Sequence, residues 1–175
     1  MFRVGRRRIG KGEPVFIVAE ISGNHNQDIN RAKSIIDAAA AAGADAVKLQ
    51  TYTADTITID CDRPEFVVKG SNDAGEGKTL YELYGEASTP WEWHKELFQY
   101  TRSKGLICFS TPFDPTAVDF LESLNNPIVK VASFEVVDIP LLEVIGKTKR
   151  PVIMSRGMAT KEEIVLALKT LRRAG

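Results

Sequence analysis

Charged and hydroxyl-bearing residues end a series of short apolar segments, and together these residue types could bind an anion and move protons. Two of them, Lys48 and Lys130, lie inside the apolar runs AVKLQ and IVKVA, where a lysine is rarely buried without a partner or a function. The other residues in such positions are Glu20, Gln50, Ser110, Thr111, Ser133, Glu135, Ser155 and Arg156. Lysines combined with hydroxyls favour a ligand that carries phosphate and carboxylate groups.

Three roles are open for these residues. A glutamate among cations stays ionised and can accept a proton or orient water, which predicts catalytic roles for Glu20 and Glu135 beside Lys48. One lysine could instead form a Schiff base, as in class I aldolases, because a second cation nearby would lower its pKa. In the third role the lysines form structural ion pairs with neighbouring carboxylates.

The elements that must position these side chains alternate between apolar strands and amphipathic helices. Predicted strands cover residues 14–20, 44–50, 106–110, 127–132 and 151–155. Predicted helices run from residue 28 or 30 to 42, over 91–104, 114–124 and 139–147, and onward from 160. Strands that are apolar at nearly every residue are typical of a parallel sheet covered by helices on both faces.

This repeat fits either an open doubly wound sheet or a (β/α)8 barrel. The open sheet commonly carries a glycine-rich turn after its first strand, but the segment SGNHN at 22–26 has one glycine. A barrel places polar residues at the carboxyl ends of its strands, which is the observed pattern. We therefore predict an α/β fold, a (β/α)8 TIM barrel that is incomplete, with about five βα units in residues 1–175.

The connection over residues 51–90 is far longer than an ordinary βα loop. Its apolar groups, such as FVV at 66–68, argue against the alternative of a disordered insertion, so we predict a lid-like substrate loop over the barrel mouth. A full barrel needs eight units and about 250 residues. The sequence therefore predicts the N-terminal part of a larger domain, inactive by itself.

Bulk composition argues against several functions. The chain has 23 Lys and Arg against 23 Asp and Glu, so nucleic acid is not an expected partner, and the basic run Arg6-Arg7-Arg8 is predicted to be a solvated face. Two cysteines without metal-ligand spacing fit a reducing compartment. No apolar run approaches the ~20 residues of a membrane span, and the first residues lack the apolar core of a signal peptide. We predict a cytoplasmic protein.

The histidines and tryptophans have explanations other than catalysis. His25 follows the first strand in a polar turn and could either contact substrate or pack. His94 begins a helix on the barrel exterior, which predicts a surface or packing role, and Trp91 and Trp93 are predicted to pack. Two isolated histidines do not make a metal site, so no metal ligand is predicted within this chain.

Six sequence blocks, in order, resemble the sialic acid (nonulosonic acid) synthase family, on its pseudaminic acid branch. They are AEISGNHN at 19–26, GADAVKLQTYT at 43–53, TLY at 79–81 with TPWEWH at 89–94, FSTPFD at 109–114, KVASFE at 130–135 and PVIMSRGMA at 151–159. Arg156 departs from the family pattern, in which a threonine follows the serine.

The resemblance implies that the whole protein condenses phosphoenolpyruvate with an N-acetylated amino sugar to give a nonulosonic acid and phosphate by C–O cleavage. It implies that Lys48 holds the carboxylate and that Glu20 and Glu135 lie at the reacting end. The residues predicted to bind substrate are Lys48, Gln50, Asn72, Thr111, Lys130, Ser133 and Ser155.

The resemblance also implies a cofactor and further domains. A divalent metal, manganese or magnesium, would activate the sugar aldehyde as a Lewis acid, held by histidines on later strands outside this chain. A small C-terminal antifreeze-like domain would contribute an arginine to the partner subunit, which predicts a homodimer at full length. The departure at Arg156 leaves one alternative open, a non-catalytic binding or regulatory barrel.

Overall fold

The structure is a computed structural model that describes residues 2–5, 7–69 and 75–175. In chain order its elements are β1 (Phe2–Val4), β2 (Arg7–Ile9), β3 (Val18–Glu20), α1 (Ile29–Ala41), β4 (Ala46–Thr51), α2 (Ala54–Ile57), a 3₁₀ turn (Pro64–Phe66), α3 (Leu80–Ala87), α4 (Trp91–Ser103), β5 (Ile107–Pro112), α5 (Pro115–Ser123), β6 (Val129–Val131), a second 3₁₀ turn (Phe134–Val137), α6 (Ile139–Lys147), β7 (Val152–Met154) and α7 (Lys161–Ala174). None of the helices in these ranges has both the length and the hydropathy needed to cross a bilayer.

Five parallel strands form one curled sheet in the sequential order β3-β4-β5-β6-β7. Each strand is joined to the next by a connection that contains at least one helix, as in successive βα units. This is the arrangement of the first strands of a (β/α)8 barrel. The predicted fold class, an incomplete barrel of five units, is confirmed.

Side-chain alternation gives the sheet two different faces. The outward face carries residues such as Val47, Leu49 and Cys108, which pack with Ile36 of α1 and Leu97 of α4 in a buried cluster. A second cluster joins β6 and β7 to α6 and α7. The outward face is therefore the main apolar core, and the polar residues of β4 and β5 are left to the inward face.

A short antiparallel hairpin, β1 and β2, closes the inward face from below. Val4 is buried there with Ala46, Phe109 and Ile128. Arg7 anchors the hairpin, because its guanidinium forms an ion pair with Asp45 and donates a hydrogen bond of 3.0 Å to the Val15 carbonyl.

The hairpin corrects the prediction of a solvated basic run for one of its residues. Arg7 is half-buried and ion-paired, whereas Arg8 is exposed and pairs with Glu13. Arg6 lies outside the described residues. The local charge pattern could not reveal Arg7's position, because the partner Asp45 becomes a neighbour only when the hairpin folds back under the sheet.

The long connection between β4 and α4 contains helices that the sequence patterns did not predict. Thr79 and Glu82 form a capping box that starts α3. Tyr52 is buried and contacts the rings of Tyr84 and Phe113 edge to face, at centroid distances of 5.8 and 5.3 Å. The described part of this connection is therefore packed onto the barrel, and its role as a lid stays a prediction.

His94 is fully buried rather than on the surface, so only the packing half of its prediction is confirmed. Its Nδ1 lies 3.1 Å from the Pro90 carbonyl, and its Nε2 lies 2.8 Å from the Thr51 hydroxyl. Because a carbonyl can only accept, Nδ1 carries the proton and Nε2 accepts from Thr51. Burial lowers the pKa of His94 to about 4, so the ring is neutral near pH 7.

His25 is also fully buried, which favours packing over substrate contact for this residue. Its Nε2 lies 3.1 Å from the Thr89 hydroxyl, and its ring meets Trp93 edge to face at 5.6 Å. Trp91 stacks on Phe120 at 4.7 Å. Both tryptophans therefore pack against the barrel wall, as predicted.

Stability should fall in acid through His94. Its pKa is about 4 in the folded chain against 6.5 ordinarily, so between these pH values the unfolded chain binds a proton that the folded chain does not. This lowers the free energy of unfolding by about 3 kcal/mol as pH falls from 6.5 to 4. Urea denaturation from pH 7 to 4 should show a loss smaller by about this amount in His94→Gln, with Thr101→Val as a control that alters a buried polar side chain without a titrating group. Equal losses in wild type and His94→Gln would contradict the assignment.

Candidate active site

Register and alternation bring the predicted site residues to one rim of the sheet. Glu20, Lys48 and Phe109 are paired across β3, β4 and β5, and Gln50 is paired with Thr111 one step further toward the carboxyl ends. Residues paired in this way point to the same face of a sheet. The inward face therefore carries Glu20 and Lys48 level with Phe109, and Gln50 and Thr111 one step above them.

Glu20 and Lys48 form an ion pair across β3 and β4. The Lys48 ammonium also lies 3.4 Å from the Thr111 hydroxyl on β5, to which it donates. The backbone N–H of Ser22 donates to the Glu20 carboxylate at 3.1 Å. These contacts join three adjacent strands at their carboxyl ends, and they fix the ammonium of Lys48 between an anion and a hydroxyl.

Lys130 enters the same site from β6 but has only uncharged hydrogen-bond partners among the described residues. Its ammonium donates to the Ser155 hydroxyl at 2.6 Å and to the Val131 carbonyl. Burial, together with the nearby charge of Lys48, lowers the pKa of Lys130, while Glu135 and Glu20 act in the opposite direction. Thr111 and Lys130 each follow a residue of the registered pair Ser110–Val129, so Lys130 lies at the strand position next to the hydroxyl that Lys48 contacts. A bound anion between the two ammonium groups would relieve their repulsion.

Glu135 lies beyond β6 in the 3₁₀ turn Phe134–Val137. Burial raises the pKa of this carboxyl group, and the charge of Asp138 acts in the same direction, while Lys130 opposes it. One carboxyl oxygen, Oε2, is buried without a hydrogen-bond partner among the described residues. A carboxyl group in this state takes up a proton more readily than an exposed one and has an oxygen free for a ligand or water.

The turns after β6 and β7 approach each other closely beside Lys130. A Cβ on Gly157 would lie 2.9 Å from the Ser133 hydroxyl oxygen, so a side chain there would displace it. Gly157 thus allows Ser133 to lie next to the segment that carries Ser155. Arg156 is exposed at this rim, and Asn72, also predicted to bind substrate, lies outside the described residues.

Ser110 does not face the site, although the strand-end pattern grouped it with Thr111. Its hydroxyl lies 2.6 Å from that of Thr51, which is bonded to His94 on the outward face. Consecutive strand residues point to opposite faces, so only one of Ser110 and Thr111 can line the site. Lys48 is paired with Phe109, so alternation along β5 places Thr111, two residues further on, on the same face as Lys48. This register is not visible in the sequence.

The described residues do not form a metal site by themselves. Within the three described ranges, no group of three His, Cys, Asp or Glu side chains is arranged to hold an ion. The Glu20 carboxylate is already occupied by Lys48. A metal at this rim would depend on ligands other than these.

The fold and this rim define an incomplete (β/α)8 barrel with a cluster of polar side chains at the carboxyl ends of its strands, where the sites of such barrels lie. The model of the NeuB family matches residues 35–175. The chain is 47% identical over 161 residues to the pseudaminic acid synthase of Helicobacter pylori, covering 92% of this chain and 47% of that protein. It is 44% identical over 150 residues to the pseudaminic acid synthase of Campylobacter jejuni, covering 86% of this chain and 43% of that protein.

A comparison with solved structures points to the same family as these relatives. The crystal structure of the N-acetylneuraminic acid (sialic acid) synthetase of Leptospira borgpetersenii in complex with citrate has a TM-score of 0.84 and 30% identity, covering 99% of this chain and 55% of that one. The chain belongs to the NeuB family. It spans about half the length of the curated relatives that it matches.

Replacing Lys48 should raise the pKa of Lys130. Lys48→Met keeps the side-chain length but removes the charge that helps to lower this pKa. It also frees Glu20 from its ion pair, and the negative charge of Glu20 raises the pKa of Lys130. A pH titration of the chain with ¹³C-labelled lysine, followed by NMR, would measure the shift toward 10.5. Lys104→Met is the control, because Lys104 pairs with Asp37 away from the rim. An unchanged pKa of Lys130 in Lys48→Met would show that the two ammonium groups do not share a site.

Proposed function

We propose that a protein as long as these relatives, with this chain as its first part, condenses phosphoenolpyruvate with an N-acetylated amino sugar. We call it the whole protein. The products would be a nonulosonic acid of the pseudaminic type and phosphate. The observation that carries this proposal is the shared space of Lys48 and Lys130, in which Lys130 has only uncharged partners among the described residues. Residues 1–175 would supply the first five βα units and the anion-binding rim.

The two lysines would bind different groups of phosphoenolpyruvate. Lys48, held by Glu20 and close to Thr111, suits the carboxylate. Lys130 with Ser155 suits the phosphate, and the nearby Ser133 and Thr111 hydroxyls could donate to the same group. Hydrogen bonds between charged groups contribute about 1.5–3 kcal/mol each, enough to orient a small ligand. Gln50, inward beside Thr111, would contact substrate at the outer edge of the rim.

The reaction forms one carbon–carbon bond and, from water, one carbon–oxygen bond, and it breaks the carbon–oxygen bond to phosphate. The enol carbon of phosphoenolpyruvate attacks the aldehyde of the open-chain sugar, water adds to the carbon that bears the phosphate, and phosphate leaves with its bridging oxygen. Glu135, with its raised pKa and a buried oxygen without a described partner, suits transfer of a proton to or from that water. The ammonium groups would stabilise charge that develops on the departing phosphate.

Several parts of this proposal rest on the family resemblance and relatives named as synthases. A divalent metal, manganese or magnesium, would polarise the aldehyde when bound, but because the described residues do not form its site, we assign no step of this chain to it. The homodimer, the lid, the cytoplasmic location, the substrate contact of Asn72 and the inactivity of the 175-residue chain alone stay predictions.

Lys130→Met in the whole protein should lower kcat/KM by at least about 100-fold, because charge on the departing phosphate would lose its main cation. Phosphate release from phosphoenolpyruvate and an N-acetylated amino sugar measures the effect. Lys104→Met, an exposed lysine outside the rim, should leave turnover unchanged. Undiminished turnover in Lys130→Met would contradict the phosphate role.

A second candidate, a Schiff-base aldolase, is favoured by one observation, the lowered pKa of Lys130 beside Lys48. A lysine in this state is a better nucleophile at neutral pH. Borohydride reduction in the presence of pyruvate, read by mass spectrometry of the intact chain, would trap any Schiff base. We expect no added mass, since both ammonium groups would be engaged in anion binding. A stable adduct on Lys130 or Lys48 would instead support the aldolase.

A further inference from the structure

A continuous set of buried polar groups lies on the outward face, behind the rim. We name it the outer polar chain, made of His94, Thr51, Ser110 and Asn126, all fully buried. The imidazole of His94 is 2.8 Å from the Thr51 hydroxyl, which is 2.6 Å from the Ser110 hydroxyl. Because His94 accepts from Thr51, Thr51 in turn accepts from Ser110.

The outer polar chain continues toward β6 through the amide side chain of Asn126. The backbone N–H of Ser110 donates to Asn126 Oδ1 at 3.2 Å, and Asn126 Nδ2 donates to the Ile128 carbonyl at 2.8 Å. The registered pairing of β5 with β6 is limited to Ser110 and Val129, so the Asn126 side chain supplements a short ladder. The outer polar chain therefore links α4, β4, β5 and the start of β6.

Each strand residue of the outer polar chain is next in sequence to a residue predicted to bind substrate. Thr51 follows Gln50, and Ser110 precedes Thr111. The two residues of each pair point to opposite faces of the sheet. A shift of Thr51 or Ser110 on the outer face must therefore move the neighbouring site residue on the inner face.

We propose that the outer polar chain consists of positioning residues, which set the separation of the ends of β4, β5 and β6 and thereby hold Lys48, Thr111 and Lys130 at the spacing that one small anion requires. The identity of the anion rests on the proposed function, whereas the positioning of the strands does not. Buried polar groups that are fully hydrogen-bonded are suited to this role, because they accept only a narrow range of distances.

Three variants separate positioning from simple stability. Thr51→Val keeps the shape of the side chain and removes the hydroxyl, whereas Thr51→Ser keeps the hydroxyl and removes the methyl group. Thr101→Val is the matched control, since Thr101 is equally buried on α4 and its hydroxyl oxygen has no hydrogen-bond partner among the described residues. Thermal unfolding would record the stability that each variant loses.

Binding of phosphoenolpyruvate to the 175-residue chain, measured by calorimetry, gives the first result. Thr51→Val should raise Kd by about tenfold, the size of a weakened charge-assisted hydrogen bond. Thr51→Ser and Thr101→Val should stay within about twofold of wild type, even where they lose stability. Wild-type affinity in Thr51→Val, or equal weakening in Thr51→Ser, would overturn the inference.

A ligand-free measurement distinguishes failure of the inference from failure of the proposed function. If the wild-type chain does not bind phosphoenolpyruvate, the anion site of the proposed function is contradicted. The positioning role is then tested by the pKa of Lys130, measured by NMR in ¹³C-lysine-labelled chains. That pKa should rise in Thr51→Val, because splayed strand ends expose Lys130 and separate it from Lys48, and stay unchanged in Thr51→Ser and Thr101→Val. No rise in Thr51→Val would overturn the positioning role as well.

Discussion

The alternation of side chains along β4 and β5 is the constraint on which the rest of the site depends. Register pairs Ala46 with Ile107, Lys48 with Phe109 and Gln50 with Thr111, so the inner face changes from apolar at the amino ends of the strands to polar at their carboxyl ends. A slip of one residue in β4 would exchange the two faces of that strand. It would bury Lys48 among the helices and expose Leu49 at the rim, and the packing of both faces therefore enforces the same register.

The polar end of the inner face holds two positive charges close together at an energetic cost. Lys48 is neutralised by Glu20, whereas the hydrogen bonds of Lys130 go to a hydroxyl and a carbonyl, and it forms no ion pair among the described residues. Such an arrangement lowers stability in the free chain and is relieved when an anion is present. The fold offsets this cost elsewhere, through the apolar clusters on the outward face and the hairpin beneath Phe109.

The succession of strands and helices could be predicted because each signal is local. Asp28, Asp114 and Thr160 cap their helices in the structure, and their side-chain types are common at helix N-caps. Contacts between distant segments could not be predicted in the same way. Arg7 meets Asp45, and Ser110 turns away from the site toward Thr51, only after the register of the whole sheet is established. The family resemblance supplied candidate residues, but not which face each of them occupies.

The N-terminal hairpin lies at the opposite end of the strands from the rim, since Val4 packs near Ala46 at the amino end of β4 while Lys48 and Gln50 approach its carboxyl end. An attachment made near residue 2 would thus be directed away from the opening through which a ligand enters. Immobilisation on a sensor surface through this end leaves the rim facing solution. It also places mechanical load on the ion pair of Arg7 with Asp45 before it reaches the strands that carry the lysines.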